Sequence, residues 1–398
     1  MHRLAASLLK YALPKVGGPG GHGDDREGDR VKILSVVGAR PNFMKIAPLV
    51  HEMRKYPDIE SILVNTGQHY DTAMAGQFFE QLEIPVPDVS LEVGSGTHAV
   101  QTAEVMKRLE PVLEKLRPDV VVVVGDVNST MAAALTAVKL HIPVAHVESG
   151  LRSFDRSMPE EINRLVTDAI SDQLFVSEES GRTNLLKEGV DPGKIHFVGN
   201  VMIDCLERFR PLWARSDVRQ RIGVDGVPYG VVTLHRPSNV DEPAMLEKLM
   251  EALVDIGRQI PLIFPVHPRT RQRLASLDVP VVTSLKGAQA NGKGILCVDP
   301  LGYVDFMALV SNARIVLTDS GGLQEEASVL GVPCLTMREN TERPATVTHG
   351  TNRIVGTSTT KITAEAWQVL DEPKPAPKRP ALWDGRTSER IISILRKI

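Results

Sequence analysis

Residues 314–326 read RIVLTDSGGLQEE, and this stretch indicates the class of fold. The apolar, β-branched run at 314–318 is typical of a buried strand, and the Ser-Gly-Gly turn after it opens a helix. Glycine lets a backbone approach a phosphate, and the first helical turn offers unpaired N–H groups at the positive end of its dipole. Glu326 follows one turn later as a candidate for binding a ribose diol. We predict a nucleotide-binding turn, although an ordinary strand-to-helix junction carries the same glycines.

The composition is that of a globular protein with two domains. The chain has 398 residues, of which 42% are apolar and 24% are charged, so two domains can each have a core. The net charge of −3 excludes a broad cationic surface for nucleic acid or anionic lipid. No apolar run is long enough to cross a membrane. Any site for a phosphate must therefore be formed by a few basic side chains or backbone N–H groups at one place.

Two further features bear on where the protein works. Cys205, Cys297 and Cys334 stand far apart without metal-ligand spacing, which indicates buried thiols in a reducing cytoplasm. Residues 1–30 join a mildly basic, amphipathic start to the stretch GGPGGHGDDREGD, which predicts a disordered tail. Surface attachment and an upstream start codon are the alternatives for this tail.

From residue 31 onward, strand-like and helix-like segments alternate in two series. An apolar run such as VVVVV at 120–124 needs a parallel sheet that is covered on both faces. A polar helical connection at 200–228 separates the series. We predict strands at residues 31–37, 61–66, 120–124, 143–147, 173–176 and 195–198, and then at 230–234, 262–266, 295–298, 314–318 and 334–337.

The two series predict an α/β protein with two doubly wound domains. The first domain covers residues 31–204 and the second covers 205–380. A proline-rich linker at 371–380 precedes a C-terminal segment, 381–398, whose short amphipathic helix is expected to pack back on the first domain. Ligands in such sheets bind at the carboxyl edges of the strands, so the domains should face a shared cleft.

Acidic side chains follow two neighbouring strands of the first domain. Asp126 comes after the run at 120–124 and Glu148 after the run at 143–147, so both carboxylates should lie at one sheet edge. Either acid alone is more typical of a loop or a helix cap. Glu160 also has two interpretations, because Ser157 to Glu160 fits a capping box with a proline in the first turn.

Basic side chains and histidines also stand at strand ends. Arg40 and Lys45 follow the first strand and are candidates for clamping a phosphate, while a solvated basic pair is the alternative. His235 and His267 end two strands of the second domain, where ordinary loop histidines remain an alternative. The histidines lack metal-ligand spacing, and the first turn reads GARPNF rather than G-x-G-x-x-G. We therefore predict neither a metal nor a nicotinamide cofactor.

The order of these pieces resembles the non-hydrolysing UDP-N-acetylglucosamine 2-epimerase family from about residue 31 to the C-terminal helix. The blocks that carry the resemblance are GARPNFMKIAPL (38–49), RPDVVVVVGDVNST (117–130), PVAHVESGLRS (143–153), PEEINR (159–164), VGNVMID (198–204), TLHRP (233–237), PVHP (265–268), LTDSGGLQEEA (317–327) and MRENTERPATVTHGTNRIVG (337–356). The resemblance implies two Rossmann-like domains in the GT-B arrangement of glycosyltransferases, without a metal motif, and a UDP-sugar between them.

The resemblance also implies an activity and its residues. The family eliminates UDP from UDP-N-acetylglucosamine to give 2-acetamidoglucal and adds UDP back with the opposite configuration at C2, for cell-surface polysaccharide synthesis. A homodimer in the cytoplasm is the family expectation. By this resemblance UDP is held by Arg40, Lys45, His235, Ser320, Gly321, Gly322, Glu326 and Arg343, the uracil by Phe306, and the sugar by the catalytic acids Asp126, Glu148 and Glu160, with His235 also counted as catalytic.

The sequence departs from the family pattern at three places. Where many members read Gly-Thr-Arg-Pro-Glu in the first motif, this chain has Ala39 and Asn42, and we interpret that position as structural. Pro237 stands where some bacterial members have an arginine that binds an activating second UDP-GlcNAc, although Gln68 and His69 of that effector site are retained. Leu301 stands where several members have glutamine near the uracil, which indicates either a looser base contact or a subfamily that acts on a modified sugar.

Other functions remain open at this stage. Within the enzyme class they are a 2-epimerase of a UDP-2,3-diacetamido-hexuronic acid and a hydrolysing enzyme. From another class they are a UDP-sugar-dependent glycosyltransferase and a UDP-sugar-binding protein without turnover. The presence of Asp126, Glu148 and Glu160 together argues against the last two, because nucleotide binding alone does not need three acids.

Overall fold

The computed structural model describes residues 30–67, 82–266, 268–277, 281–282 and 293–398. The predicted tail up to residue 29, the effector residues Gln68 and His69, and His267 lie outside the described residues, as does the side chain of Arg40. The described part of the chain forms two parallel β-sheets with helices between the strands.

The first sheet holds the strands of the first series in the order β3-β2-β1-β4-β5-β6-β7. Its strands are β1 Val31–Val37, β2 Ile59–Asn65, β3 Val89–Ser90, β4 Val120–Val124, β5 Val144–Ser149, β6 Gln173–Val176 and β7 Ile195–Phe197. The valines of β4 alternate between two apolar clusters, one on each face of the sheet. Such burial on both faces requires an uninterrupted apolar strand.

The second sheet has the order β10-β11-β9-β8-β12-β13-β14. Its strands are β8 Gly230–Thr233, β9 Leu262–Pro265, β10 Val281–Val282, β11 Ile295–Val298, β12 Ile315–Thr318, β13 Cys334–Thr336 and β14 Asn352–Ile354. In both sheets the strand order reverses beside a central strand, which is the position where ligands bind in open α/β sheets.

Helices occupy the connections in both halves. In the first half they are α1 Arg40–Met53, α2 His98–Leu116, α3 Asn128–Lys139, α4 Pro159–Ile170, α5 Glu179–Lys187, α6 Val201–Arg208, α7 Arg210–Trp213 and α8 Val218–Ile222. In the second half they are α9 Pro237–Val240, α10 Pro243–Gly257, α11 Pro268–Leu274, α12 Tyr303–Ser311, α13 Gly321–Leu330, α14 Pro344–Thr348, α15 Thr359–Asp371 and α16 Thr387–Leu395.

The predicted strands are all present, with ends that differ by at most two residues. The α/β, doubly wound fold is therefore confirmed. Strands β3, β10 and β14 were not predicted. Each is an edge strand of two or three residues, which is too short to show a periodic pattern.

The connection between the sheets is less polar than expected. Most of α6 is buried, including Val201, Ile203 and Leu206, because this helix packs against both α1 of the first half and α13 of the second. One continuous apolar cluster therefore extends from the first sheet through α6 into the second.

The C-terminal helix returns the chain to the first sheet. The carboxylate of Asp204 accepts the backbone N–H groups of Thr387 (3.0 Å) and Ser388 (2.6 Å) at the start of α16. The indole of Trp383 donates to the Ser177 carbonyl at 2.8 Å. Helix α16 then packs against α1 and α6, which joins the C-terminus to the first half.

The three cysteines are free thiols in the core, as predicted. Within the described residues, no helix is long and apolar enough to span a membrane.

Candidate active site between the two sheets

The glycine turn after β12 forms as the sequence predicts. Ser320 is extended and precedes α13, whose first residue is Gly321. A β-carbon at Gly321 would lie 2.5 Å from Nη1 of Arg343, so any larger residue would displace that guanidinium from its present position. Arg343 thus lies against the first turn of α13, where the sequence predicts a phosphate.

Asp319, at the end of β12, was missed as a functional residue. Its buried carboxylate accepts the backbone N–H groups of His235 and Arg236, and it lies 2.8 Å from Nδ1 of His235. Burial on its own raises the pKa of Asp319, but the His235 ring and these N–H groups lower it below its usual range. The His235 side chain is 56% exposed, so Asp319 orients a ring that solvent or a ligand can reach.

Glu148, at the end of β5, has contacts to both halves of the protein. Its Oε2 lies 2.6 Å from Nζ of Lys45 in α1, and its Oε1 accepts from Nη2 of Arg343 at 2.8 Å. Its φ of 71° is in the left-handed region, and the pairing of β5 with β6 shifts register there. From the sequence we predicted Glu148 at the sheet edge, but we did not predict its ion pairs with Lys45 and Arg343.

Asp126 lies at the same edge, in the turn after β4. Nη1 of Arg164 lies 2.5 Å from its Oδ2. Burial on its own raises the pKa of Asp126, whereas Arg164, Lys45 and Arg343 lower it below its usual range. The lowered pKa keeps this carboxylate ionised. The side chain is 23% exposed, so a ligand can reach it.

Glu160 does not belong to a capping box, and that interpretation was wrong. Helix α4 begins at Pro159 after an N-cap at Met158, and the Ser157 hydroxyl donates to Asp155 instead. Because Pro159 takes the first helical position, the N-cap is Met158 and Ser157 lies one residue before the N-cap.

The neighbouring Glu161 has the structural role that Glu160 lacks. It accepts the N–H groups of Ser153 (3.0 Å) and Phe154 (2.9 Å) and pairs with Arg164 at 2.7 Å. Glu160 is half-buried in the first turn of α4 and forms no hydrogen bond or ion pair with another described residue. Its carboxylate is therefore available to a ligand.

Three further buried carboxylates surround Arg343, and sequence reasoning missed all of them. Glu325 of α13 accepts from Nε of Arg343 at 2.7 Å, and Glu342 lies 3.6 Å from Nη1. Glu178, at the end of β6, is buried near Glu325 and α14. Burial raises the pKa of Glu178 to about 7, and Glu325 adds to this. No local sequence pattern indicates that these three glutamates are buried around Arg343.

The predicted nucleoside residues lie along α12 and α13. Glu326 is buried and accepts the Tyr303 hydroxyl at 3.0 Å. Phe306 is half-buried on α12, and Gly322 leaves open space beside Met202.

Asn42 is structural, as its departure from the family pattern indicated. Its side chain accepts the Ala39 N–H at 3.1 Å and donates to the Val124 carbonyl at 2.7 Å. It thereby fixes the start of α1 against the end of β4, beside Asp126.

The structure thus brings Lys45, Asp126, Glu148 and Arg343 together between the sheets, next to the glycine turn. Among the described residues, no group of three or more histidine, cysteine, aspartate or glutamate side chains is arranged to hold a metal ion.

Comparisons with known proteins agree on one family. The family model described as UDP-N-acetylglucosamine 2-epimerase matches residues 51–396. UDP-N-acetylglucosamine 2-epimerase from Methanocaldococcus jannaschii is 42% identical over 371 residues, which cover 92% of this chain and 99% of the relative. UDP-2,3-diacetamido-2,3-dideoxy-D-glucuronate 2-epimerase from Pseudomonas aeruginosa is 39% identical over 375 residues, with coverages of 92% and 100%.

A solved structure supports the same relationship. The crystal structure of the Methanocaldococcus jannaschii UDP-GlcNAc 2-epimerase in complex with UDP-GlcNAc and UDP aligns with a TM-score of 0.83 at 40% identity. The alignment covers 92% of this chain and 100% of that one. Because both the family model and these relatives match nearly end to end, the chain belongs to the UDP-N-acetylglucosamine 2-epimerase family.

Proposed function

We propose that this protein interconverts UDP-N-acetylglucosamine and UDP-N-acetylmannosamine. The observation that carries the proposal is the carboxylate of Glu148, which Lys45 and Arg343 hold beside the glycine turn of α13. Cations and helical N–H groups suit a leaving diphosphate, and an adjacent carboxylate suits proton transfer at the sugar. Binding of a nucleotide alone needs no acid at the sugar end.

The chemistry explains why acids and cations are both needed. The C2 hydrogen lies next to an acetamido group and not next to a carbonyl, so simple deprotonation is unfavourable. In elimination, the C1–O bond breaks with its electron pair going to the UDP oxygen, and the C2 proton passes to a carboxylate. UDP then adds back to C1 of the 2-acetamidoglucal, while a carboxylic acid delivers a proton to the opposite face of C2.

The roles come from the family resemblance, and the positions of Lys45, Glu148 and Arg343 beside the glycine turn support them. We assign the diphosphate to Arg40, Lys45, His235, Ser320, Gly321, Gly322 and Arg343, the ribose to Glu326, the uracil to Phe306, and the sugar to Asp126, Glu148 and Glu160. We also propose domain bounds of 31–204 and 205–380. A homodimer, a cytoplasmic location and turnover without added NAD or metal stay predictions from the sequence.

A UDP-2,3-diacetamido-hexuronic acid is the competing substrate. The Pseudomonas aeruginosa relative that is named for this sugar is nearly as similar as the Methanocaldococcus jannaschii relative, at 39% against 42% identity. Leu301, where several family members have glutamine, is half-buried against the core.

Proton NMR of the protein with UDP-GlcNAc in deuterated water tests the proposal. We expect UDP-ManNAc to appear and C2 to take up solvent deuterium, with no NAD or metal added. Turnover of only the diacetamido uronic acid would support the competing substrate instead. Release of free ManNAc would indicate a hydrolysing enzyme, and activity that EDTA abolishes and a divalent ion restores would contradict metal-free turnover.

A further inference from the structure

Lys45 and Arg343, here called the cleft cations, both contact Glu148 although they come from different halves of the protein. The Lys45 ammonium lies 2.6 Å from Oε2, a close contact that is not aligned as a hydrogen bond. The Arg343 guanidinium donates to Oε1 at 2.8 Å. Only 3% of the Glu148 side chain is exposed, so this carboxylate has little access to water as an alternative partner.

The same guanidinium also borders the glycine turn. Its Nε donates to Glu325 of α13 at 2.7 Å, and its Nη1 lies where a β-carbon at Gly321 would come within 2.5 Å. Glu325 therefore positions Arg343 so that one edge meets Glu148 and the other meets the first turn of α13. A diphosphate on that turn would approach the cations that Glu148 already contacts.

The negative charge around Lys45 and Arg343 makes it unfavourable for Glu148 and a diphosphate to contact these cations at the same time. Glu148, Glu325 and Glu342 already place three carboxylates around the cleft cations. A diphosphate adds further negative charge to a buried site, where like charges interact more strongly than in water. The diphosphate therefore binds favourably only when the Glu148 carboxylate moves away from the cleft cations.

We propose that Glu148 and the diphosphate of the UDP-sugar compete for Lys45 and Arg343, which couples nucleotide binding to the release of Glu148 toward the sugar. This inference rests on the proposed function and deepens it. The carboxylate then becomes available for proton transfer when the leaving group is in place. When UDP departs, the cations return to Glu148. Because coupling is reciprocal, removing the charge of Glu148 must strengthen the binding of UDP.

Calorimetric titration with UDP tests this coupling, with Glu148→Gln compared to the wild-type protein. We expect Glu148→Gln to bind UDP about tenfold more tightly, because the cleft cations no longer have a competing carboxylate. Glu179→Gln is the control, since it removes an exposed carboxylate that pairs with Arg182 and with neither cation, and it should bind UDP within about twofold of the wild type. The gain should become smaller in Arg343→Gln/Glu148→Gln relative to Arg343→Gln, because only Lys45 is then left to be shared.

Equal or weaker UDP binding by Glu148→Gln, in a protein whose wild type binds UDP, would overturn the coupling and leave the proposed function intact. A wild type that does not bind UDP would overturn both. If Glu148→Gln fails to fold, as judged by its melting curve, Glu148→Asp replaces it. This variant keeps the charge but withdraws the carboxylate by one methylene, and it should also bind UDP more tightly than the wild type.

Discussion

Glu148 combines a strained backbone with two buried ion pairs. A left-handed φ costs a non-glycine residue about 1–3 kcal/mol and persists where the surrounding contacts enforce it. At Glu148 this backbone conformation coincides with the register shift between β5 and β6, and the side chain is held by Lys45 and Arg343 at 2.6 and 2.8 Å. The two ion pairs thus hold the carboxylate beside the cations until, by the coupling proposed above, a diphosphate takes the cations over.

Glu160 and Glu161 are neighbours in α4, and we expect one to serve catalysis and the other to serve stability. Glu160→Gln removes a carboxylate without a partner among the described side chains, so we expect kcat to fall on the order of 100-fold with little change in the free energy of unfolding. Glu161→Gln is the control, because it weakens the hold on Ser153, Phe154 and Arg164. That variant should lose about 1–3 kcal/mol of stability.

Steady-state kinetics and melting curves of both variants check this prediction. A Glu160→Gln protein with a lowered melting temperature and near-normal kcat would assign Glu160 to the structure rather than to the chemistry.

At the scale of elements, the turn between β6 and α5 meets α14 of the other half through Glu178. Its buried carboxyl accepts from the Ser180 hydroxyl, and its electrostatic neighbours include Glu325, Arg343 and the backbone of Ala345 in α14. Its pKa is raised to about 7, first by burial and then by Glu325. The turn therefore docks on α14 most favourably when this carboxyl is protonated.

The raised pKa of Glu178 predicts a pH-dependent stability. The native state keeps a proton on Glu178 that the unfolded chain loses near pH 4.5, so the free energy of unfolding falls as pH rises toward about 7. The loss is at most about 3 kcal/mol, from one raised pKa. Glu178→Gln should remove it.

Urea unfolding at pH 5.5 and pH 8.5 measures this effect as the difference between wild type and Glu178→Gln. Glu179→Gln, which changes the exposed neighbour, is the control and should follow the wild type. Parallel pH profiles for wild type and Glu178→Gln would contradict the prediction.

At the scale of the whole molecule, α6 and α16 join the two halves. Helix α6 packs against both α1 and α13, and α16 crosses back to the first half after the last strand of the second. The site residues therefore come from halves that share a core, which favours a defined cleft geometry over independently moving domains.

Regulation is also a property of the whole molecule, and Pro237 predicts that activation by a second nucleotide sugar is lost. An arginine would supply a fork of donors to a phosphate, whereas proline supplies none, which removes a contact of about 1.5–3 kcal/mol. We expect the reverse reaction to proceed from UDP-ManNAc alone and the forward reaction to be hyperbolic. Initial rates with pure UDP-ManNAc measure this.

Pro237→Arg is the matched variant for that experiment, and it should introduce sigmoidal kinetics if the rest of the effector site is intact. A wild type that needs traces of UDP-GlcNAc to start the reverse reaction would show that other residues replace the arginine.

The strands, the glycine turn and the sheet edge that carries Asp126 and Glu148 were predicted correctly, because apolar runs and turn residues act over a few neighbouring positions. The capping box at Ser157 was wrong, since the helix begins at Pro159, two residues after Ser157, with Met158 as its N-cap. The edge strands were missed because they are too short for a pattern.

The sequence by itself determined the α/β class, the two series of strands and the motifs that imply the family. Only the tertiary structure decided which charges meet. Glu148 and Arg343 stand 195 residues apart, and their contact exists because β5 and the start of α14 face each other across the cleft. The same holds for Glu178 and Glu325, whose burial raises the pKa of each. Burial and long-range pairing depend on how the two halves pack, and no local pattern of residues encodes that packing.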